Sequence, residues 1–294
     1  MDEITAKTIM QKNKPDINFW FYHDYNMNLY RGCSHGCIYC DSRSQCYGIE
    51  NFDLIKPKKD TLLILESELM RKRKKGICAM GSMSDPYNPL EKKLELTRNA
   101  LKLFLKYGYG TSIITKSNLI LRDIDLLKEI NKHYSVIVNI TITTIDPELQ
   151  KILEPFSSTT AERFEVLKLL NEAGIKAGIT LMPILPFIND NIENIDGIIE
   201  QARISKANHI YAYFGMTLRD RQREYYYKHL DKNFPGIKEK YQRKFGLSYS
   251  CSSLNSNKLY KRLSDKCKEY NILFNIKEIN ESFLKIPKQL AFNI

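Results

Sequence analysis

Short apolar runs alternate with amphipathic helix patterns through most of the 294-residue chain. The runs are rich in Ile, Val, Thr and Tyr, and strands of this composition that alternate with helices form parallel sheets covered by helices. The predicted strands cover residues 27–32, 77–82, 110–117, 135–144, 176–186 and 208–215, and the predicted helices cover residues 61–75, 93–107, 122–132, 160–174 and 192–206. Six such units are too few for an eight-fold barrel. They predict an α/β fold, a partial TIM barrel (β/α)6.

The same pattern divides the chain into three parts. Residues 1–25 form an N-terminal arm, residues 26–215 contain the six units, and residues 216–294 lose the strand pattern. The last part is basic and aromatic, as in "REYYYKHLDK", and predicts a mainly helical C-terminal extension that caps the barrel or extends its edge. In barrels of this kind the chemistry lies at the carboxyl ends of the strands, so the loops that follow the strands are the places to search for a site.

The net charge of the chain indicates which classes of partner it would attract. The chain has 45 Lys and Arg against 34 Asp and Glu, a formal net charge of +11. This excess favours a polyanionic partner such as nucleic acid, or an anionic cofactor, although lysines that only keep the surface solvated give the same count. The first 20 residues lack the apolar core of a secretory signal, and no run approaches the roughly 20 apolar residues that span a bilayer. We therefore expect a cytoplasmic protein with no membrane partner.

Three cysteines follow the first predicted strand in "CSHGCIYC": Cys33, Cys37 and Cys40, with Cys46 shortly after them. Stable disulfides are uncommon in the cytosol, and an odd total of seven cysteines suits a disulfide framework poorly. The spacing also lacks the second ligand pair of common zinc sites, although a four-thiolate zinc site that includes Cys46 stays open. Three thiolates suit three corners of a 4Fe–4S cluster, which leaves one iron free to bind a substrate or cofactor.

The spacing Cys-x3-Cys-x2-Cys, with the aromatic Tyr39 before the third cysteine, resembles the signature of the radical S-adenosylmethionine superfamily. The resemblance implies that Cys33, Cys37 and Cys40 hold a 4Fe–4S cluster whose open iron binds S-adenosylmethionine. A reductant such as flavodoxin or ferredoxin then supplies an electron, and cleavage of the cofactor gives a 5′-deoxyadenosyl radical that abstracts hydrogen from a substrate. Cys46 is interpreted as a bystander, because a fourth protein ligand would block the open corner.

The resemblance also implies contacts to S-adenosylmethionine in the loops that follow the strands. The segment "MGSMSDPYNPLE" lies where the superfamily binds the methionine amino group, although the usual Glu is absent. "TKS" lies where the ribose and carboxylate are often contacted, Arg163 where a basic residue commonly pairs with the carboxylate, and Met182 where the adenine packs. A solvated Arg163 and a core Met182 are the alternatives. The expected cofactor-binding residues are Tyr39, Gly81, Ser82, Ser84, Asp85, Lys116, Ser117, Thr143, Arg163 and Met182.

Four longer segments resemble the family of spore photoproduct lyase and its DNA repair photolyase-like relatives: "NLYRGCSHGCIYC", "SDPYNPLE", "LILRDIDLL" and "LEPFSSTTAERFEVLKLLNEAGI". This narrower resemblance implies a radical enzyme that acts on nucleic acid. The lyase has a hydrogen-returning cysteine just before its Ser-Asp pair, where this chain has Ser82, with Cys78 four residues earlier. Two alternatives therefore stay open: radical chemistry on a peptide or small metabolite, and a non-enzymatic metal-dependent protein that binds nucleic acid.

Overall fold

The computed structural model describes residues 3–285, in which strands and α-helices alternate through most of the chain. The strands are β1 (Met10–Lys12), β2 (Tyr25–Met27), β3 (Tyr30–Arg31), β4 (Lys56–Pro57), β5 (Ile77–Met80), β6 (Gly110–Thr115), β7 (Val136–Thr141), β8 (Lys176–Leu181), β9 (Ile210–Ala212), β10 (Gly215–Thr217) and β11 (Ser250–Ser252). The α-helices are α1 (Thr61–Arg71), α2 (Glu91–Leu94), α3 (Leu96–Tyr107), α4 (Ile124–His133), α5 (Pro147–Leu153), α6 (Thr160–Glu172), α7 (Ile192–Ile204), α8 (Asp220–Asn233), α9 (Ile237–Phe245), α10 (Ser256–Glu269) and α11 (Ile276–Phe283).

Seven strands form the central sheet, in the order β1-β2-β5-β6-β7-β8-β9. The pairs from β2 to β9 are all parallel, whereas β1 pairs with β2 in the antiparallel direction. Helices connect the successive parallel strands from β5 to β9. This topology confirms the α/β fold with a partial barrel. The N-terminal arm supplies β1, an edge strand that the sequence did not predict.

The two faces of the sheet are buried by different parts of the chain. In β7, Val136, Val138 and Ile140 belong to the main core, which also contains the buried faces of the covering helices. Ile137 points the opposite way, because side chains alternate along a strand, and packs with Phe21 and Ile279. The concave face is therefore closed at the amino ends of the strands by the N-terminal arm and by α11. We call this region the base.

Uncharged polar groups make several buried contacts at the base. The buried side chain of Asn280, on α11, donates hydrogen bonds to the carbonyls of Ile17 (2.8 Å) and Trp20 (2.7 Å) and accepts one from the backbone N–H of Tyr22 (2.9 Å). Nearby, Nε2 of His209 lies 2.8 Å from Oδ1 of Asn139. Burial lowers the pKa of His209 to about 3, so its ring is neutral at physiological pH.

Two details differ from the sequence predictions. The predicted strand at residues 27–32 is two strands, because β2 ends at Met27 and β3 pairs with β4 in a separate sheet. The strand pattern also continues past residue 216, since β10 pairs with β11 in the extension. Otherwise the described part of the extension is mainly helical, from α8 to α11, and residues 286–294 lie outside the described residues. The boundaries at residues 25/26 and 215/216 stay predictions.

None of the helices in residues 3–285 has the length and apolar character needed to cross a membrane.

Candidate functional site

Residues 32–48, here called the cysteine loop, follow β3. The loop begins at Gly32, whose φ of +83° is readily adopted only by glycine. A side chain at Gly32 would also place Cβ 2.6 Å from the carbonyl oxygen of Leu54. The loop then contacts the segments that follow β5, β6 and β7, through Asp85, Lys116 and Leu153. The cysteines therefore lie at the carboxyl ends of the barrel strands, which we call the mouth.

Three of the four thiols in the loop, those of Cys33, Cys37 and Cys40, are close neighbours. Cys37 is buried, and Cys33 and Cys40 are partly buried. Burial raises the pKa of all three thiols, that of Cys33 to about 12, and Cys33 and Cys40 each act electrostatically on Cys37. The ammonium group of Lys116 acts in the opposite direction and lowers the pKa of Cys37 and Cys40. Clustered thiols beside a cation suit a cofactor that binds thiolates.

Within residues 3–285, no three His, Cys, Asp or Glu side chains are placed to hold a single metal ion. A zinc site requires such convergence, because each thiolate lies about 2.3 Å from the ion. A 4Fe–4S cluster binds each cysteine through a different iron, so the three sulfur atoms need only surround it. The donor set therefore fits a cluster better than a single ion. Cys46 is exposed, and its Sγ accepts a hydrogen bond from Arg219 (3.0 Å).

Asp85 joins the cysteine loop to the barrel. Its Oδ1 accepts hydrogen bonds from the hydroxyl of Thr115 (2.7 Å) and the N–H of Tyr87 (2.8 Å), while its Oδ2 accepts from the N–H of Lys116 (2.8 Å) and lies 2.9 Å from Nε2 of His35. Burial alone would raise the pKa of Asp85, but His35 and these donors lower it to about 2. The carboxylate is ionised and its acceptor positions are occupied by the protein.

The turn that follows α5 holds the other side of the loop. Ile38 donates its N–H to the carbonyl of Leu153 (3.0 Å), and Phe156 donates its N–H to the carbonyl of His35 (3.1 Å). Nδ1 of His35 lies 3.3 Å from the carbonyl oxygen of Phe156. His35 therefore connects this turn, through Asp85, to the ends of β5 and β6.

Glu154, in the same turn, is a functional candidate that the sequence analysis missed. Its side chain is fully buried. Its Oε1 accepts a hydrogen bond from the hydroxyl of Tyr39 and a longer one from Thr143 (3.3 Å), while its Oε2 lies 2.5 Å from Nη2 of Arg163. A single Glu between Leu153 and Pro155 gives no sequence signal that its carboxylate will be enclosed beside the cysteines.

Arg163 lies in the first turn of α6, within a network of internal contacts. Its guanidinium is fully buried, and it donates to the carbonyls of Ser158 (2.8 Å) and Thr141 (2.8 Å) and to the hydroxyl of Ser157. It also pairs with Glu154. The solvated alternative is therefore wrong, because Arg163 is buried with an internal partner, and its pairing with the methionine carboxylate stays a prediction.

Lys116 is the cation that faces the cysteines. Its side chain is partly buried, and among the described residues its ammonium group has no hydrogen-bond or ion-pair partner. It lies 5.8 Å from the centre of the Tyr39 ring. Burial would lower the pKa of Lys116, but Cys37 and Glu154 raise it above its usual value. The mouth therefore contains a positive charge that no carboxylate of the described chain compensates directly.

The segment after β5 combines a tight turn with polar contacts. Gly81 has a φ of +101°, and a Cβ there would collide with the carbonyl of Ile114, so the neighbouring strand approaches closely. Ser84 is buried and donates its hydroxyl to the carbonyl of Tyr30 (3.0 Å). Ser82 is exposed, and its hydroxyl lies 3.2 Å from Oδ1 of Asn26. Of these expected cofactor contacts, Ser82 is the one whose side chain is open to a ligand.

Ser117 and Met182, two other predicted cofactor-binding residues, have different surroundings from each other. The hydroxyl of Ser117 accepts a hydrogen bond from the N–H of Leu119 (3.3 Å) and so caps the short 3₁₀ turn after β6. Met182 is partly buried at the carboxyl end of β8, and it belongs to none of the buried clusters described for residues 3–285. The core alternative for Met182 is therefore weakened, whereas Ser117 has a structural role in the turn.

The C-terminal extension also supports the cysteine loop. The buried amide of Gln222, on α8, donates to the carbonyls of Tyr39 (2.9 Å) and Thr217 (2.8 Å). The guanidinium of Arg43 stacks on the ring of Tyr225 at 3.8 Å from its centre. It also pairs with Asp53, through hydrogen bonds of 2.5 Å and 2.8 Å. The contacts of Gln222 with Tyr39 and of Tyr225 with Arg43 join positions about 180 residues apart, which no local pattern in the sequence could indicate.

Comparisons with known proteins agree with this geometry. A family model described as the radical SAM superfamily matches residues 27–202. An uncharacterized protein of Methanocaldococcus jannaschii is 40% identical over 175 residues, which cover 59% of this chain and 64% of the relative. An uncharacterized protein of Mycobacterium bovis is 28% identical over 225 residues, which cover 74% of this chain and 66% of the relative. The chain thus spans slightly less than two thirds of these curated relatives.

Solved structures of spore photoproduct lyase have a similar fold. One variant of the lyase aligns with a TM-score of 0.67 at 14% identity, covering 91% of this chain and 78% of the lyase. The lyase complexed with dinucleoside spore photoproduct aligns with a TM-score of 0.65 at 14% identity and with the same coverage. At this identity the likeness shows the fold alone. Because the family model matches more than half of the chain, the protein belongs to the radical S-adenosylmethionine superfamily, and its fold is like that of spore photoproduct lyase.

Proposed function

We propose that Cys33, Cys37 and Cys40 hold the cluster, that Lys116 binds the carboxylate of S-adenosylmethionine, and that the substrate is a damaged or modified nucleic acid. The observation that carries the cofactor assignment is the pairing of three clustered thiols with the uncompensated ammonium group of Lys116. When bound, the cluster and S-adenosylmethionine supply the one-electron chemistry that breaks a carbon–sulfur bond. The chain itself binds, orients and shields these groups.

Each part of the mouth has a distinct task in this proposal. Asp85 and His35 fix the cysteine loop against the barrel, and Glu154 fixes the hydroxyl of Tyr39. Ser82 and Met182 are the open polar and apolar side chains, which suits contact with the methionine and the adenine. Arg163 acts through Glu154 rather than on the ligand. The rigid surroundings keep competing groups away from a reactive species.

Two observations support a nucleic-acid substrate. The net charge of +11 attracts a polyanion, and a solved lyase of similar fold carries a dinucleoside lesion. A base would have to leave its stack to reach a recessed site. The reaction would differ from that of the lyase in how hydrogen returns to the product. Cys78, Cys251 and Cys267 are fully buried, and the position of the lyase cysteine is Ser82.

Anaerobic turnover tests the proposal. The reconstituted protein, given dithionite and S-adenosylmethionine, should form 5′-deoxyadenosine, and the Cys37→Ala variant should form none. Ultraviolet-irradiated DNA should raise the rate above that with intact DNA, and binding should weaken as salt increases. Absence of 5′-deoxyadenosine from a protein with full iron content would contradict the assigned cofactor site. Cofactor cleavage without any binding of nucleic acid at low salt would contradict the substrate class and favour a peptide or small metabolite.

A further inference from the structure

The carboxylate of Glu154 lies behind the cysteine loop, in a position fixed from several directions. Its own N–H donates to the carbonyl of Gln150 (2.8 Å), and its carbonyl accepts from the amide of Gln150 (2.9 Å) and the hydroxyl of Ser157 (2.9 Å). Its side chain accepts a hydrogen bond from the hydroxyl of Tyr39, the residue just before the third cysteine. The charge therefore cannot move away from the loop without breaking the turn after α5.

This charge acts on the cysteines. Burial would raise the pKa of Glu154, but Arg163 and Lys116 lower it below its usual value, so the carboxylate is ionised. The negative charge of Glu154 acts against a thiolate at Cys37, and the positive charge of Lys116 acts in its favour. In a buried site such charges interact more strongly than in water, because the surrounding medium screens them less. Glu154 and Lys116 therefore exert opposite electrostatic effects on a cofactor bound by the thiolates.

A buried pair of charges contributes little to stability. Removing two charges from water costs several kcal/mol, and a pair of apolar side chains often stabilises a protein as well or better. At the base of the same barrel, the neutral Asn280 and His209 hold the structure without such a cost. The presence of Glu154 beside the cysteines therefore calls for a reason other than packing.

We infer that Glu154 is a positioning residue that holds Tyr39 against the cluster and makes the cluster harder to reduce, in opposition to Lys116. The inference rests on the proposed set of cysteine ligands. Reduction adds one electron from dithionite or a physiological reductant, with no bond formed or broken in the protein and no proton taken up. A nearby anion opposes the added negative charge, and a nearby cation favours it. Removal of the negative charge of Glu154 should therefore raise the reduction potential of the cluster, and removal of the positive charge of Lys116 should lower it.

The test is a potentiometric titration of the reconstituted protein without S-adenosylmethionine, followed by electron paramagnetic resonance. Glu154→Gln should shift the midpoint potential to a more positive value, and Lys116→Met should shift it to a more negative one. Tyr39→Phe removes the hydroxyl without changing the charge and should shift it less than either. The comparison is made at matched iron content. A purely structural role would lower the iron content of these variants without opposite shifts.

A second variant covers the case in which Glu154→Gln does not fold, because that change leaves Arg163 buried without its partner. Glu154→Gln combined with Arg163→Met removes both charges and should give a smaller positive shift. Shifts of the same sign in the Glu154 and Lys116 variants, or no shift in any of them, would overturn the inference. A wild-type protein that takes up no cluster would instead overturn the assignment of the cysteine ligands. Iron content and the electron paramagnetic resonance spectrum therefore distinguish failure of the inference about Glu154 from failure of the proposed ligand set.

Discussion

The base and the mouth of the barrel are both buried, but they use different chemistry. At the base, Asn280 ties α11 to the N-terminal arm, and the neutral ring of His209 pairs with Asn139. At the mouth, the ionised carboxylates of Asp85 and Glu154 lie beneath the cysteine loop. The contacts of Asn280 and His209 at the base are thus made by uncharged groups, whereas those beneath the cysteine loop are made by ionised carboxylates.

The difference between base and mouth distinguishes groups that stabilise the fold from groups that serve the site. Neutral polar groups that are fully hydrogen-bonded can lock two segments at modest cost, whereas buried charges require close partners and often gain no stability. Strongly shifted pKa values often mark functional sites, although burial also produces one in His209 at the base. The charges at the mouth therefore mark the region on which function depends, and changes there should affect the cofactor as well as the fold.

The largest effect is expected at the mouth, from Asp85→Asn. An amide offers one acceptor oxygen and brings an N–H₂ group against donors that now bond the carboxylate, so several buried donors lose their partner. We expect a loss of about 3–5 kcal/mol in the free energy of unfolding, measured by urea titration of the metal-free protein, and a loss of bound iron. The control is Asp125→Asn, in an exposed pair with Arg98, which should cost less than about 1 kcal/mol. An equal loss of unfolding free energy in the Asp85 and Asp125 variants would show that the buried carboxylate at the mouth matters no more than an exposed one.

The corresponding change at the base is Asn280→Ala. It leaves the carbonyls of Ile17 and Trp20 and the N–H of Tyr22 without their partner. We expect a loss of about 2–3 kcal/mol in the free energy of unfolding, with an unchanged iron content per folded protein. Urea unfolding and iron analysis of the same preparations measure both quantities. A parallel loss of iron would show that base and mouth are not independent.

Acidification should weaken the base through His209. The pKa of this residue is about 3 in the folded protein against an ordinary value of 6.5, so the unfolded chain binds a proton that the folded chain does not in the range between these values. Stability is then fully present above about pH 6.5 and is lost as the pH falls towards 3. From this group alone we expect the free energy of unfolding to be about 2 kcal/mol lower at pH 5 than at pH 7.5. His209→Gln should flatten that part of the pH profile, and an unchanged profile would contradict the assignment.

The smallest effect is expected where the extension reaches the mouth. Tyr225→Leu removes the ring on which Arg43 stacks but leaves the pair of Arg43 with Asp53. We expect a loss of about 1 kcal/mol, and a faster release of iron to a chelator, because the cysteine loop opens more often. The matched control is Tyr260→Leu, on the exposed side of α10, which should release iron at the wild-type rate. Identical rates for the two variants would show that the extension does not stabilise the loop.

The repeating pattern of the sequence was enough to predict the barrel. Strands β6, β7 and β8 are buried along most of their length, so their Ile, Val and Thr residues give a continuous signal. Strand β1 has three residues and one buried side chain, too few to show alternation. Helix α5 was missed although Asp146 caps it and Pro147 begins it, a start signal that the sequence does contain.

The site was predictable where it depends on neighbours in the chain. The cysteine triplet is a local motif, whereas the pairing of Glu154 with Tyr39 joins residues 115 positions apart. The internal partners of Arg163 could not be predicted for the same reason, because a helix pattern does not reveal what lies opposite a side chain. Lys116 and Asp85 were both predicted to contact the cofactor, and only the structure shows that the acceptor positions of Asp85 are occupied whereas the ammonium group of Lys116 has no partner among the described residues.

The contacts of Gln222 and Asn280 also bear on the order of events during protein synthesis. The cysteine loop leaves the ribosome early, but its support from Gln222 follows about 180 residues later, and the closure of the base by Asn280 comes later still. Contacts of such long sequence separation form late, because the intervening chain must first be made and ordered. We therefore expect the nascent chain to expose its thiols to oxidation for most of its synthesis. Insertion of the cluster would then belong to the period after translation.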